Sequence, residues 1–347
     1  MSGSIDAARA MWEPSTVYLN TASYGLPPTP AWEGLQEALR AWRAGSTGWV
    51  PWSEKTHEAR EAFARLVGVP SDLVAVGSNV SVFAGLVAAS LPPGSTVLAP
   101  EIEFTSNLFP WMIQEDRGIK VRTVPQANLI DEIDGDTTLV AVSAVQSASG
   151  EVTRLDELVD ASQRHGAEVF LDATQACGWL PLDASKFDFV ACGAYKWLMS
   201  PRGTAFLTMK EQHVGSLRPV DAGWFAGDEV HDSYYGPPLR LAKLARRFDI
   251  SPAWFSWVGT ALALQVLEGF DIAEIATHNI ALANRFLEGA GLGPGDSAIV
   301  SVDVADGDVR LRAAGILGAV RAGNVRLAFH LYNTEADVDA ALDALFG

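Results

Sequence analysis

The 347-residue sequence predicts an α/β fold, with a large, mainly parallel sheet covered by helices on both faces and a smaller C-terminal α/β unit. Three observations carry this expectation. Between residues 73 and 209, short apolar runs alternate with stretches of helical periodicity, the pattern of strands joined by crossover helices. The runs themselves, such as Thr138-Leu139-Val140-Ala141-Val142 and Glu168-Val169-Phe170-Leu171-Asp172, are apolar nearly throughout, as expected of strands covered on both faces. Past Pro252 the character changes to two long helices and the glycine-rich 289–295, which reads as a domain hinge.

In order, an extended opening at 17–20 precedes the proline-rich 26–30 and a helix with Trp32, Leu35, Leu39 and Trp42 at three-to-four spacing. Residues 45–51 read as a loop, 55–67 as an amphipathic helix stopped by Gly68, and 73–76 as a buried strand running into Gly77-Ser78-Asn79. Helix 80–91, strand 96–99, helix 106–117, strands 120–124 and 138–143, helix 155–165, and strands 168–171, 188–191 and 204–209 follow. Helices 254–270 and 273–289, strand 298–304, a helical piece at 306–314, a hairpin of 316–321 with 325–331 turning at Gly323-Asn324, and helix 334–346 close the chain. The expected division is a large unit over 18–254 and a small one from 1–17 and 255–347.

Forty-eight per cent hydrophobic residues leave ample material for such cores and none of the bias of a disordered chain. The formal charge of −17 repels a phosphate backbone, which sets nucleic acid aside as a partner. Any anion site must then be a local exception built from backbone amides, hydroxyls and a few cations. Cys177 and Cys192 make neither a disulfide framework nor a zinc knuckle, and no metal site is expected. The opening residues lack the apolar core of a signal peptide, and no apolar stretch reaches membrane-span length, so the expectation is a cytoplasmic protein without a membrane partner.

The densest chemistry lies in 168–203. Asp172 falls at one strand's carboxyl end and Lys196 just past another's, so both open onto one cleft. A lysine near apolar neighbours can have a lowered pKa and act as a Schiff-base amine, while an aspartate opposite can hold a pyridinium proton. These are the two parts that pyridoxal 5'-phosphate requires. Either residue alone is more ordinarily a turn cap or a surface lysine.

Through these residues the sequence resembles the class V, cysteine-desulfurase-like branch of the fold-type I pyridoxal-phosphate enzymes, and the match runs through most of the chain. The resemblance implies a seven-stranded-type sheet domain with a smaller C-terminal domain. Asp172-Ala173-Thr174-Gln175 resembles the family's aspartate and glutamine pair, implying Asp172 on the pyridine nitrogen and Gln175 on the ring hydroxyl. Gly193-Ala194-Tyr195-Lys196-Trp197 with Ser200-Pro201-Arg202-Gly203 resembles its lysine motif, implying Lys196 as the Schiff-base residue with Tyr195 beside the cofactor.

Other positions agree in the family's order. Ser78, Asn79 and Val80, ahead of a helix, become the phosphate cradle, although such a turn alone is ordinarily an N-cap. Phe104 sits where relatives stack a ring on the cofactor, and Ser147 where many have an asparagine near the ring hydroxyl. Arg247-Phe248-Asp249-Ile250-Ser251-Pro252 resembles a segment that crosses a dimer interface, with Ser251 reaching the neighbour's phosphate; that implies a homodimer with a shared site. A simple helix N-cap by Ser251 is an equal reading.

Val325 to Thr334 matches the segment that carries the arginine for the substrate's α-carboxylate. Period-two alternation puts Arg326, Ala328 and His330 on one face, and the planar guanidinium suits a carboxylate. Arg326 is the first candidate and Arg321 the second, while His330 reads as structural. A desulfurase needs a cysteine on a loop before that arginine, and 306–324 holds none, which disfavours persulfide chemistry.

The resulting expectation is an enzyme that removes the Cα proton of an amino acid, with Lys196 as general base and aminotransfer as the reaction. Carbon–sulfur lyase and epimerase remain as alternatives, and a non-catalytic binding dimer of the same fold as a further one. Tyr24, Trp49, Trp52, Trp224, Phe225 and Tyr235 are loop aromatics that can line a substrate pocket, Tyr24 foremost, or serve as interface and core.

Overall fold

The central sheet has seven strands in the order β2-β8-β7-β6-β5-β3-β4. They are β2 (Val74–Gly77), β3 (Thr96–Pro100), β4 (Lys120–Val124), β5 (Leu139–Ser143), β6 (Glu168–Asp172), β7 (Phe189–Gly193) and β8 (Ala205–Met209). Strands β4, β3, β5, β6 and β7 are mutually parallel, and β8 runs antiparallel to both β7 and β2. This computed structural model describes residues 5–347.

The strands are continuously apolar because alternate residues enter two different cores. Val140, Val142, Leu171, Val190 and Phe206 join one core with Phe63 of α3 (Val50–Leu66), Leu158 of α6 (Leu155–His165) and Trp257 of α7 (Trp254–Leu267). Leu139, Ala141, Phe170, Ala191 and Leu207 join the other with Phe83 of α4 (Val80–Ser90) and Trp111 of α5 (Thr105–Met112). A polar substitution at any of these positions has no solvent-facing side to turn to.

The smaller unit is a three-stranded sheet, β11-β12-β9, packed on helices. It comprises β9 (Ile299–Val302), β11 (Ala319–Arg321), β12 (Asn324–Ala328), α8 (Ile272–Gly289), α9 (Gly307–Ala313) and α10 (Glu335–Phe346). Its core gathers Leu282, Phe286, Val300, Leu311, Val325, Leu327 and Val338, and also Leu19 from the chain's opening. Helix α7, expected to begin this unit, packs instead on α3 and on α2 (Thr29–Ala44). After the short α1 (Ile5–Ala8), β1 (Val17–Tyr18) pairs in parallel with β10 (Ile316–Leu317), so the two ends of the chain meet. Residues 1–4 of the division expected from sequence lie outside the described residues.

Several element boundaries differ from the sequence expectation, and three of the differences have a clear local reason. Helix α3 begins at Val50 instead of 55, because Pro51 falls in the first turn, where no backbone N–H is needed. Helix α5 stops at Met112 instead of 117; Pro110 inside it removes a donor, and a separate 3-10 turn covers Glu115–Arg117. The expected 316–321 strand breaks at Gly318, so that β10 pairs with β1 while β11 forms the hairpin with β12. That hairpin turns at Ala322 and Gly323, both left-handed (φ 48° and 88°), and β12 goes on to Ala328 against β9, short of the expected 331. Among the described residues, no helix is long and apolar enough to cross a membrane.

Candidate active site

Parallel strands deliver the residues that follow them to one edge of the sheet, and a cavity of about 640 Å³ lies there. Segments after β2, β3, β5, β6 and β7 and before β8 supply Ser78, Phe104, Ser147, Thr174, Lys196 and Arg202 respectively. The smaller unit closes the cavity with Arg321 and Arg326, and the chain's opening adds Ala22, Ser23 and Tyr24. Asp172, Gln175, Tyr195, Asn79 and Val80 complete the lining named from sequence. Ser251 is not among these residues; it is solvent-exposed, next to Ile250, whose N–H reaches the carbonyl of Val76 at 3.3 Å.

Lys196 sits in a tight turn. Met199 N–H closes on its carbonyl at 3.0 Å, and Met199 takes the left-handed φ of 53°. Gly25 lies against this turn, its N–H donating to Tyr195 O at 2.9 Å, and a Cβ there would fall 2.0 Å from Lys196 O. Gly25→Ala must therefore push the lysine turn out of place. The expected cost is about 1–3 kcal/mol in a urea titration, with a weakened grip on any ligand of Lys196. A full retention of both would show that the turn yields freely.

The Lys196 side chain is only 6% exposed. Burial lowers its amine from 10.5 to about 8, opposed by the charge of Asp172 and assisted by Arg326. Its Nζ lies 5.5 Å from the ring centre of Phe104 and 5.7 Å from that of Tyr195, while the Arg202 guanidinium stacks over Tyr195 at 4.8 Å. Burial also pushes the Tyr195 hydroxyl up. Asp172 ends β6 and accepts the Thr174 N–H at Oδ1, 2.9 Å; burial pushes its carboxyl up against that hydrogen bond and the charge of Lys196.

Gln175 is oriented by its neighbours: its Oε1 accepts from Trp197 Nε1 at 2.8 Å, and its Nε2 donates to Ala22 O at 2.9 Å and to Ser147 Oγ at 3.0 Å. Ser147 Oγ also accepts from Arg326 at 3.1 Å. One hydroxyl thus joins the glutamine to the arginine, a link the shorter serine allows. Strand β12 explains the position of Arg326, since Val325 and Leu327 enter the small core and Arg326 faces the other way. Arg326 is 1% exposed, donates to Ser147 O and Ser23 Oγ at 2.5 and 2.8 Å, and keeps a buried Nε with no partner. His330 is structural as expected, its Nε2 3.0 Å from Trp197 O, and burial lowers it to about 3.

Several participants were not singled out from sequence. Ser23, which bonds both arginines, is an ordinary serine until residues some 300 positions away fold onto it. Glu103 is buried and accepts from Ser143 N–H, Ser143 Oγ, Gln146 Nε2 and Phe104 N–H, bracing the segment that presents the Phe104 ring. Burial, and then the charge of Asp172, push its carboxyl up. Its place directly before Phe104 was the available signal. Ser81, Ser106 and Arg202 also line the cavity.

These donors fit pyridoxal phosphate on their own chemistry. A buried carboxylate and a buried amine lie in one cavity. The start of α4 adds Ser78, Ser81 and free first-turn amides, with Asn79 capping the helix through Val82 N–H at 3.1 Å. The orphaned Nε of Arg326 leaves an anion still to be met.

Known proteins share this sequence pattern and this fold. The family model described as aminotransferase class-V matches residues 27–293. An uncharacterized aminotransferase of Bacillus subtilis is 28% identical over 91% of this chain and 90% of its own length. Isopenicillin N epimerase of Streptomyces clavuligerus is 29% identical over 73% of this chain and 69% of its own. The solved cystine C–S lyase C-DES, in complex with its product cysteine persulfide, superposes with a TM-score of 0.85 at 21% identity, covering 95% of this chain and 97% of that one, which speaks to the fold. With the matched segment spanning the whole central sheet and the lysine turn, the chain belongs to the class-V aminotransferase family of pyridoxal-phosphate-dependent enzymes.

Proposed function

We propose that this protein is an aminotransferase acting on a free amino acid, with Lys196 as its proton carrier. The observation that carries the reading is the makeup of the cavity wall: one buried amine, one buried carboxylate and one buried arginine whose Nε has no partner. No histidine, cysteine or glutamate lines it among the described residues. Moving a proton between the two carbons that flank the amine nitrogen, on one face, needs a single base, and Lys196 is that base in this reading. An epimerase needs a second group on the opposite face, and an eliminating enzyme benefits from an acid at the leaving group. Tyr195, held protonated by burial, is a poor base.

Bound in this cavity, pyridoxal phosphate supplies an electron-withdrawing ring that makes the Cα proton of the substrate removable. The chain's residues do the rest. With the cofactor bound, Asp172 would hold the proton of the ring nitrogen, Ser78, Asn79 and Val80 at the start of α4 would take the phosphate, Phe104 would pack on the ring, and Gln175 and Ser147 would serve the ring hydroxyl. Arg326 fixes the α-carboxylate and thereby aims the Cα–H bond at Lys196. Cys177 and Cys192 are both buried and neither lines the cavity, so no thiol of this chain opens onto it to carry sulfur.

The active unit in this reading is a homodimer. Ser251 is exposed and outside its own protomer's cavity, which supports its serving a neighbour's phosphate.

The test is a panel of amino acids offered to the holoenzyme without any keto acid. Aminotransfer yields one equivalent of keto acid per site, no ammonia, and loss of the lysine-linked visible band. Continuous release of pyruvate or ammonia would replace this reading with elimination, and Cα proton exchange with inversion would replace it with epimerisation.

A further inference from the structure

Four cationic side chains, Lys196, Arg202, Arg321 and Arg326, line the cavity against a single carboxylate, Asp172, in a chain of net charge −17. Two of the four, Arg321 and Arg326, converge on one hydroxyl. Ser23 Oγ accepts from Arg326 at 2.8 Å and from Arg321 at 3.2 Å, and gives its own proton to Asn20 Oδ1 at 2.7 Å. Neither guanidinium has a carboxylate within ion-pairing distance among the described residues, where Arg60, Arg65, Arg122 and Arg285 each have one. Like charges held together without a counter-ion are unfavourable unless something else brings the opposite charge.

The two arginines differ in position. Arg326 is buried at the floor, its remaining donors including the orphaned Nε; Arg321 is exposed at the mouth, anchored by Val320 O at 2.8 Å and Ser23 Oγ at 3.2 Å, with donors on both terminal nitrogens still to spare. A neutral amino acid brings one carboxylate, which satisfies the floor and leaves the mouth uncompensated. We propose that the substrate carries a second acidic group, of the aspartate or glutamate kind, and that Arg321 receives it while Arg326 holds the α-carboxylate. This rests on the cavity being the amino-acid site described above. It also suits an amino donor, since a second charge at the mouth marks the substrate without touching the reacting carbon.

The experiment titrates holoenzyme spectroscopically with two isosteric pairs, aspartate against asparagine and glutamate against glutamine. Each acid is expected to bind about ten- to a hundredfold more tightly than its amide, the range of one charge-assisted hydrogen-bonded contact. The pair with the larger ratio reports the length of side chain that Arg321 reaches. In Arg321→Gln the ratio falls to about one, and in Arg326→Gln acid and amide weaken in parallel. Thermal unfolding of Arg321→Gln, an exposed position, should match the parent and so exclude misfolding. Equal binding of acid and amide by the parent overturns the proposal, as does Arg321→Gln weakening both in parallel, which would put Arg321 on the α-carboxylate. A spectrum unmoved by every amino acid would instead overturn the proposed function itself.

Discussion

Lys196→Ala should give a colourless protein. Replacing the amine removes the one group that can bind the cofactor covalently, so the visible band disappears and borohydride no longer fixes pyridoxal to the chain. Substrate turnover falls by about 10²–10⁴ through loss of proton transfer alone. The parent offers a matching pH signature. Burial lowers the Lys196 amine from 10.5 to about 8, so its unprotonated fraction grows tenfold per unit below about pH 8 and saturates above it. Covalent capture of pyridoxal phosphate by apo-protein should follow that curve, measured by stopped-flow absorbance. A midpoint near 10.5 would mean that the amine is solvated, and an unchanged colour in Lys196→Ala would remove the residue from the mechanism.

The second large effect is on stability and lies behind the cavity. Arg60 on α3 pairs with Asp249 through two bonds, 2.6 and 3.2 Å, and also donates to Val74 O at 2.6 Å. Asp249 Oδ1 accepts Val76 N–H at 2.9 Å, so the pair ties the 245–251 segment to β2, the strand that leads into Ser78 and Asn79. Both side chains are almost fully buried. Arg60→Ala leaves the carboxylate buried and unpaired, at an expected cost of about 3–5 kcal/mol in the urea midpoint, a large share of a typical domain's stability. The double change Arg60→Met with Asp249→Leu should recover much of that loss, because neither charge is then stranded. If Arg60→Ala shifts the midpoint by less than ~1 kcal/mol, the pair is not the tie that the geometry indicates.

How much of this was legible in the sequence depended on how local the cause was. The strands of the large sheet were readable because burial on both faces leaves an unbroken apolar run, and Val140 or Phe170 has no polar neighbour to confuse it. Lys196 and Asp172 were readable because each follows such a strand, and strand ends converge. Helix α3 was misjudged at its start because Pro51 reads as a breaker unless its place in the first turn is known. Gly318 looked like the middle of one strand because only the tertiary partner, β1, reveals that the chain changes sheets there. Ser23 and the arginine contact of Ser147 were out of reach for the same reason. Each acts by receiving hydrogen bonds from an arginine far along the chain, and no spacing rule links them.

The junction between β1 and β10 sets an order of events during synthesis. Leu19 N–H waits for Leu317 O, Leu19 O for Ala328 N–H, and Tyr18 O for Asn333 Nδ2. Synthesis delivers Ser23 early, yet the two arginines that bond its hydroxyl follow some 300 residues later. A nascent chain stalled before β10 would already hold all seven strands of the large sheet while Tyr18 and Leu19 still lacked these partners, so the arginine wall of the chamber is the last part to be put in place.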